Sequence, residues 1–169
     1  LLHCLENEVK GGFSTLVDGF SVSEYLRKNH KDLFKILTKT KVRFRFVDKT
    51  IILENWGELI ELDDNNKIKQ VRYSTRLDYV PALEKKELEI FYEARKLISD
   101  LYASSKFEIK FRLEKGDLLM MDNHRLLHGR TSYDVSEGKR YLKGCYIDHD
   151  STEGKLRYLE RKFGLKWKK

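Results

Sequence analysis

The chain is short of several residue types, and each shortage excludes something. One of its 169 residues is proline, Pro81, so turns must be made by Gly, Asn and Asp. Two are cysteine, Cys4 and Cys145, far apart and with no Cys-x-x-Cys spacing. That excludes a disulfide framework and a cysteine-built zinc centre. No apolar run reaches the length of a membrane-crossing helix, so no membrane association is expected. No charged-then-apolar leader pattern opens the sequence. The expected location is the reducing cytoplasm. Histidine is also scarce, at five residues, yet two of them stand four apart in "DNHRLLHGR", Asp122 to Arg130.

Hydrophobic residues make up 40 % of the chain, aromatics 12 % and charged residues 36 %. That is enough to bury a core, and the length fits a single domain over 1–169. The net charge of +7 raises the question of an anionic partner. Lys and Glu alternate in most segments, which describes solvated faces. The one-sign cluster is the tail, "RKFGLKWKK". Arg43 and Arg45 sit on an alternating strand, but no RNA-binding motif accompanies them, so nucleic acid is not an expected partner. The sequence opens at Leu1, inside an apolar strand-like run, "LLHCLE". It therefore reads as the C-terminal portion of a longer protein.

Periodicity gives the elements. Residues 1–6 read as a strand, "VKGGFS" as a turn, and "FSTLVDGF" as a second strand closing a hairpin on the first. "SVSEYLRKNHKDLFKILTKT" carries helical spacing, with Ser21 or Ser23 as N-cap and a break near Asn29-His30. "KVRFRFVD" alternates strictly, as a half-buried strand does. "TIILE", "GELIELDD" and "KIKQVRYS" follow, with "DDNNK" as a turn. After Pro81 a long helix carries Leu88, Ile90, Phe91, Ala94, Leu97, Ile98 and Leu101 on one stripe. "KFEIKFRLE" alternates, "LLMMD" reads as a buried strand, "KRYLKGCYIDHD" as the last strand, and "STEGKLRYLERKFG" as a closing helix. The fold class is mainly β with helical insertions, a jelly roll or related sandwich.

On a helix, His124 and His128 would share one face and could bind zinc, but the flanking residues read as strand then loop. As a lone pair they would be solvated histidines. The wider pattern changes this. "DNHRLLHGR", with "GGFSTLVDGF" upstream and "KRYLKGCYIDHD" downstream, resembles the Fe(II)- and 2-oxoglutarate-dependent dioxygenases of the taurine dioxygenase family. Within it the chain looks closest to the γ-butyrobetaine and trimethyllysine hydroxylases.

The resemblance implies a double-stranded β-helix, incomplete here at its N-terminal side. It also implies a site of two imidazoles and one carboxylate that leaves three iron positions open for 2-oxoglutarate and oxygen. His128 matches the distal metal-ligating histidine, and His124 matches no ligand position. Arg140, on the following strand, matches the arginine that grips the far carboxylate of 2-oxoglutarate, a task suited to a bidentate guanidinium. Ser14 matches a hydroxyl near that carboxylate, and Arg130 is the competing arginine. Tyr146 matches a tyrosine of a trimethylammonium-binding aromatic cage. Tyr73 and Arg76 stand where the animal hydroxylases carry an Asn-rich, substrate-holding stretch, and packing is the alternative role for Tyr73.

The family's His-x-Asp/Glu pair is missing from its place. The one such spacing, His30-Lys31-Asp32, lies in an amphipathic helical stretch. The expectation is that the other two ligands precede Leu1, so this segment alone is inactive. The expected reaction is hydroxylation of a small quaternary-ammonium acid. The competing reading is a non-catalytic β-sandwich module that uses Arg140 for an organic anion. Sheet edges left unpaired should either join two copies in a homodimer or be filled by the chain's own termini.

Overall fold

The computed structural model describes residues 1–165, so the end of the basic tail, from Lys166, lies outside the described residues. In chain order the elements begin with β1 (Leu2–Asn7), β2 (Ser14–Asp18), α1 (Gly19–Asn29) and α2 (Lys31–Lys39). They continue with β3 (Lys41–Val47), β4 (Ile52–Glu58), β5 (Ile60–Leu62), β6 (Ile68–Val71) and α3 (Lys85–Tyr102). β7 (Glu108–Phe111), β8 (Leu118–Leu119), β9 (Leu126–Arg130), β10 (Arg140–Gly144) and α4 (His149–Phe163) complete the chain. No helix among the described residues is long and apolar enough to cross a membrane.

The chain divides into two compact units. The larger comprises Gly11–Arg112 and Asp122–Ser132. It holds the antiparallel sheet β7-β2-β9, the hairpins β3–β4 and β5–β6, and helices α1 to α3. Its core joins Val17 of β2, Val22 and Leu26 of α1, Phe34 and Leu37 of α2, and Phe91, Ala94 and Ile98 of α3. The helical stripe of α3 is buried at Phe91, Ala94, Ile98 and Tyr102, a spacing near 3.6. Ile90, expected on that stripe, is exposed because one residue back turns it about 100° away.

α1 begins one turn earlier than its serines predicted. Asp18 is the N-cap, accepting from the Phe20 amide at 3.1 Å. Ser21 instead donates to the Asp18 carboxylate, and Ser23 bonds back to the Gly19 carbonyl inside the helix. The break falls at His30, as expected. The predicted turn between β5 and β6 closes through Asn66 in the left-handed region (φ 59°).

The second unit comprises Leu1–Lys10, Leu113–Met121 and the chain from Tyr133 onward. Its sheet is β10-β1-β8, antiparallel throughout. This corrects the expected β1–β2 hairpin: β1 pairs with β10 and β8, whereas β2 pairs with β7 and β9. The reason is that both strands are central: β10 and β8 occupy the two edges of β1, and β7 and β9 those of β2, so neither has an edge free for the other. Gly11 and Gly12 (φ 76° and 61°) lie in the segment that connects them. "LLMMD" is likewise not a buried strand. β8 is two residues long, and Leu118 and Met120 are 58 % and 72 % exposed. α4 ends at Gly164 in the left-handed conformation and buries no residue.

Candidate active site

Strand pairing decides which side chains share a face. Residues opposite one another in an antiparallel pair project to the same side, and successive residues alternate. Ser14 pairs with Arg130 and Phe111, and Leu16 pairs with His128 and Ile109. Ser14, Leu16, His128 and Arg130 therefore share one face of the β7-β2-β9 sheet. Val17 and Leu127 project to the other face, where they join the core. Ser14 is diagonal to His128 across the pair, a relation that puts side chains roughly 7–8 Å apart at Cα. Ser14 is 6 % exposed, and His128 and Arg130 are exposed.

The turn before β9 is held by a set of contacts that the sequence did not announce. Asp122 caps it, accepting from the His124 amide at 2.9 Å, and its carbonyl accepts from Leu126 at 2.8 Å. The His124 carbonyl accepts from Val71 (2.9 Å), and the Arg125 carbonyl accepts from Gly19 (3.0 Å). The Arg125 guanidinium donates to both Asp18 oxygens, at 3.0 and 2.7 Å. This fork lowers the Asp18 carboxyl to about 2, with burial opposing it and Ser21 and the Phe20 amide helping. His124 lies in the turn and His128 in the strand, so the helical zinc pair is not formed. Asp18, Gly19 and Arg125 are the residues that the sequence reading missed. The available signal was the Asp-Gly pair at the strand-to-helix junction.

Arg140 and Tyr146 belong to the other unit. Arg140 opens β10 opposite Asn7, half-buried, with its guanidinium 5.3 Å from the Tyr133 ring centre. A bulge between Cys4 and Glu6 puts Asn7 on the same sheet face as the buried Cys4, and Arg140 with them. Without the bulge, the odd spacing would send the two to opposite faces. Tyr146, two residues past β10, is 84 % exposed.

Tyr73 packs within the larger unit and is half-buried. Its ring meets Tyr102 edge-on at 5.0 Å and carries the Arg95 guanidinium at 4.2 Å. Arg95 also pairs with Asp78 and donates to the Ser74 carbonyl at 2.9 Å, anchoring the loop after β6 to α3. An open cavity of about 490 Å³ borders this cluster, lined among others by Tyr73, Asp78, Tyr92 and Arg95. Arg76 is exposed on the same loop.

Residues 1–146 match the family model described as Taurine catabolism dioxygenase TauD, TfdA family. The chain belongs to the TauD/TfdA dioxygenase family. It is 35 % identical over 167 residues to gamma-butyrobetaine dioxygenase of Homo sapiens, which covers 96 % of this chain and 43 % of that protein. The Pseudomonas sp. (strain AK-1) gamma-butyrobetaine dioxygenase is 32 % identical, covering 95 % and 42 %. The mitochondrial trimethyllysine dioxygenase of Gallus gallus is 27 % identical, covering 94 % and 39 %. The chain thus spans less than half the length of these relatives. The fold is shared with asparagine oxygenase in complex with Fe(II), a hydroxyasparagine and succinate: TM-score 0.62, 18 % identity, 83 % of this chain and 42 % of that one. It is shared also with AAD-2 in complex with Mn(II) and N-oxalylglycine: TM-score 0.61, 17 % identity, 84 % and 59 %. The expected class, mainly β with helical insertions and jelly-roll in kind, is the fold of this family.

The donor set of this family member fits iron only in part. His128 offers one imidazole on an accessible sheet face. Among the described residues the one His-x-Asp spacing spans His30, between α1 and α2, and Asp32 in the first turn of α2. Its histidine ring packs 6.0 Å from Tyr25. It is no part of the β7-β2-β9 sheet that carries His128. A complete two-histidine, one-carboxylate set is not assembled on that sheet.

Proposed function

We propose that the chain is the C-terminal part of one double-stranded β-helix in an Fe(II)- and 2-oxoglutarate-dependent hydroxylase of a small quaternary-ammonium acid, γ-butyrobetaine-like. The observation that carries the reading is the shared sheet face of His128 and Ser14 in a chain of this family. His128 supplies one metal ligand, and the other two come from a part of the longer protein outside this sequence. The chemistry iron supplies when bound is oxidative decarboxylation of 2-oxoglutarate, coupled to hydroxylation of an unactivated carbon by oxygen.

The protein's share is orientation. Arg140 holds the far carboxylate of 2-oxoglutarate through two charge-assisted bonds, and Ser14 serves co-substrate binding from the sheet face it shares with His128. Tyr146 stacks on the trimethylammonium group of the substrate. Tyr73, which lines the open cavity beside Arg95, contributes to the substrate pocket. The sparse, widely separated cysteines, Cys4 and Cys145, support a reducing, cytoplasmic setting. The outer strands of the two sheets support pairing with a second copy, which sedimentation of the purified chain would detect.

A second reading is favoured by the partial ligand set: an anion-binding module that uses Arg140 and no metal. Titration separates the two. In the complete protein, Arg140→Ala should raise the 2-oxoglutarate requirement by about 10²-fold or more while iron affinity stays within about twofold. Equal loss of both contradicts the Arg140 assignment, and metal-independent 2-oxoglutarate binding favours the module.

A further inference from the structure

We propose that Asp18 and Arg125 are positioning residues for His128: their bidentate pair sets the register of β9 and so the face on which the imidazole is presented. The metal-ligating role of His128 rests on the reading above, whereas the way it is held does not.

β9 has reason to need such a device. It is five residues long, lies at an edge of its sheet, and has a ladder partner in that sheet on one side only, β2. A slip of one residue in an edge strand would carry His128 to the core face and Leu127 to the open one. Two residues before the alternation that matters begins, three elements hold the chain. Asp18, at the end of β2, takes the Arg125 fork at 3.0 and 2.7 Å. Gly19, the first residue of α1, donates to the Arg125 carbonyl at 3.0 Å. Val71, the last of β6, donates to the His124 carbonyl at 2.9 Å.

The fit is close. A Cβ on Gly19 would stand 2.9 Å from the Arg125 carbonyl oxygen and 3.2 Å from Val71 Cβ, so the approach requires glycine. The Arg125 guanidinium also lies 5.4 Å from the Phe20 ring centre. At the far end, the Thr131 amide donates to the Phe13 carbonyl at 2.9 Å, and Thr131 Oγ1 accepts from the Phe13 amide at 2.9 Å. His128 lies between these two fastenings.

The Arg125 side chain is half-exposed, so the pair adds little to global stability. Its contribution is geometric: a planar fork on a carboxylate fixes direction, which a lysine does not. Asp18 also caps α1, and the two roles separate by substitution. Asp18→Ser keeps a cap and loses the fork. Arg125→Lys keeps the charge and loses the planar grip.

The test uses the 169-residue chain labelled with ¹⁵N, as wild type, Arg125→Lys and Asp18→Ser, with Gly19→Ala as an independent probe of the same contact. Amide exchange is followed in β9 and in α1, and Co(II) alone is titrated while the His128 imidazole signals are watched. Amide exchange across Leu126–Arg130 should quicken about tenfold in both fork variants, with Leu26 in α1 unchanged. Broadening of the His128 signals by Co(II) should weaken several-fold in both. Unchanged β9 exchange in both variants, or equal quickening in α1 and β9, overturns the proposal. If Co(II) leaves the wild-type His128 signals untouched while the fork variants free β9, the clamp stands and the metal-ligand reading fails.

Discussion

The unit that carries His128 and the unit that carries Arg140 are built in different ways. The first has a helix-covered core: Val17, Val22, Leu26, Leu37, Leu59, Ile60, Ala94 and Ile98 are all buried in one cluster. In the second, the buried hydrophobic residues among those described are Cys4, Val9 and Leu113, and α4 buries none. Its sheet is held by strand pairing, a bulge and polar contacts such as the Asn7 amide on the Leu113 carbonyl at 2.7 Å. Where packing dominates, position is over-determined. Where pairing dominates, the placement of Arg140 depends on one bulge.

The sharpest way to break this comparison is truncation in each unit. Leu26→Ala or Ile98→Ala should cost about 2–5 kcal/mol in urea denaturation. Leu156→Ala on α4 should stay within about 0.5 kcal/mol, because that side chain is already half in water. Comparable losses at both places would erase the distinction.

Gly19→Ala should come next, at about 1–3 kcal/mol, since backbone rather than a flexible side chain meets the new methyl. The acid limb of the stability curve is a finer probe. Asp18 has a folded value of about 2, below its ordinary 3.8, owing first to Arg125. The stability it confers is therefore full above the ordinary carboxylate range and is lost as pH falls through about 2. Melting temperatures of wild type and Asp18→Ser should converge as the pH drops through that window; parallel curves down to pH 2 would contradict the assignment. The smallest effect belongs to Tyr102. Its hydroxyl is buried without a hydrogen-bond partner, and burial pushes its ionisation far above the usual phenol range. Tyr102→Phe should be neutral or stabilising by up to about 1 kcal/mol, and a clear loss would mean that the hydroxyl is satisfied.

Features set by nearest neighbours in the chain were legible beforehand. β3 was read from strict alternation, α3 from its period, and the α1–α2 break from Asn29-His30. The "DNHRLLHGR" stretch drew attention through its two scarce histidines, and the family resemblance rather than composition singled out His128. What escaped depends on distant partners. Arg125 meets Asp18 across 107 residues, and no local pattern encodes that pair. The partners of β1 lie more than 100 residues away, so the chain's order invited a hairpin, whereas distant strands occupy both edges of β1 and of β2. Exposure of Leu118 and Met120 followed from the two-residue length of β8, which hydrophobicity could not reveal.

The measurement that bears most directly on the function is visible absorption with Fe(II) and 2-oxoglutarate in the absence of oxygen. The account predicts no metal-to-ligand charge-transfer band from the 169-residue chain, a band from the complete protein, and loss of that band on His128→Ala. A band from this chain alone, or one that survives His128→Ala, would contradict it.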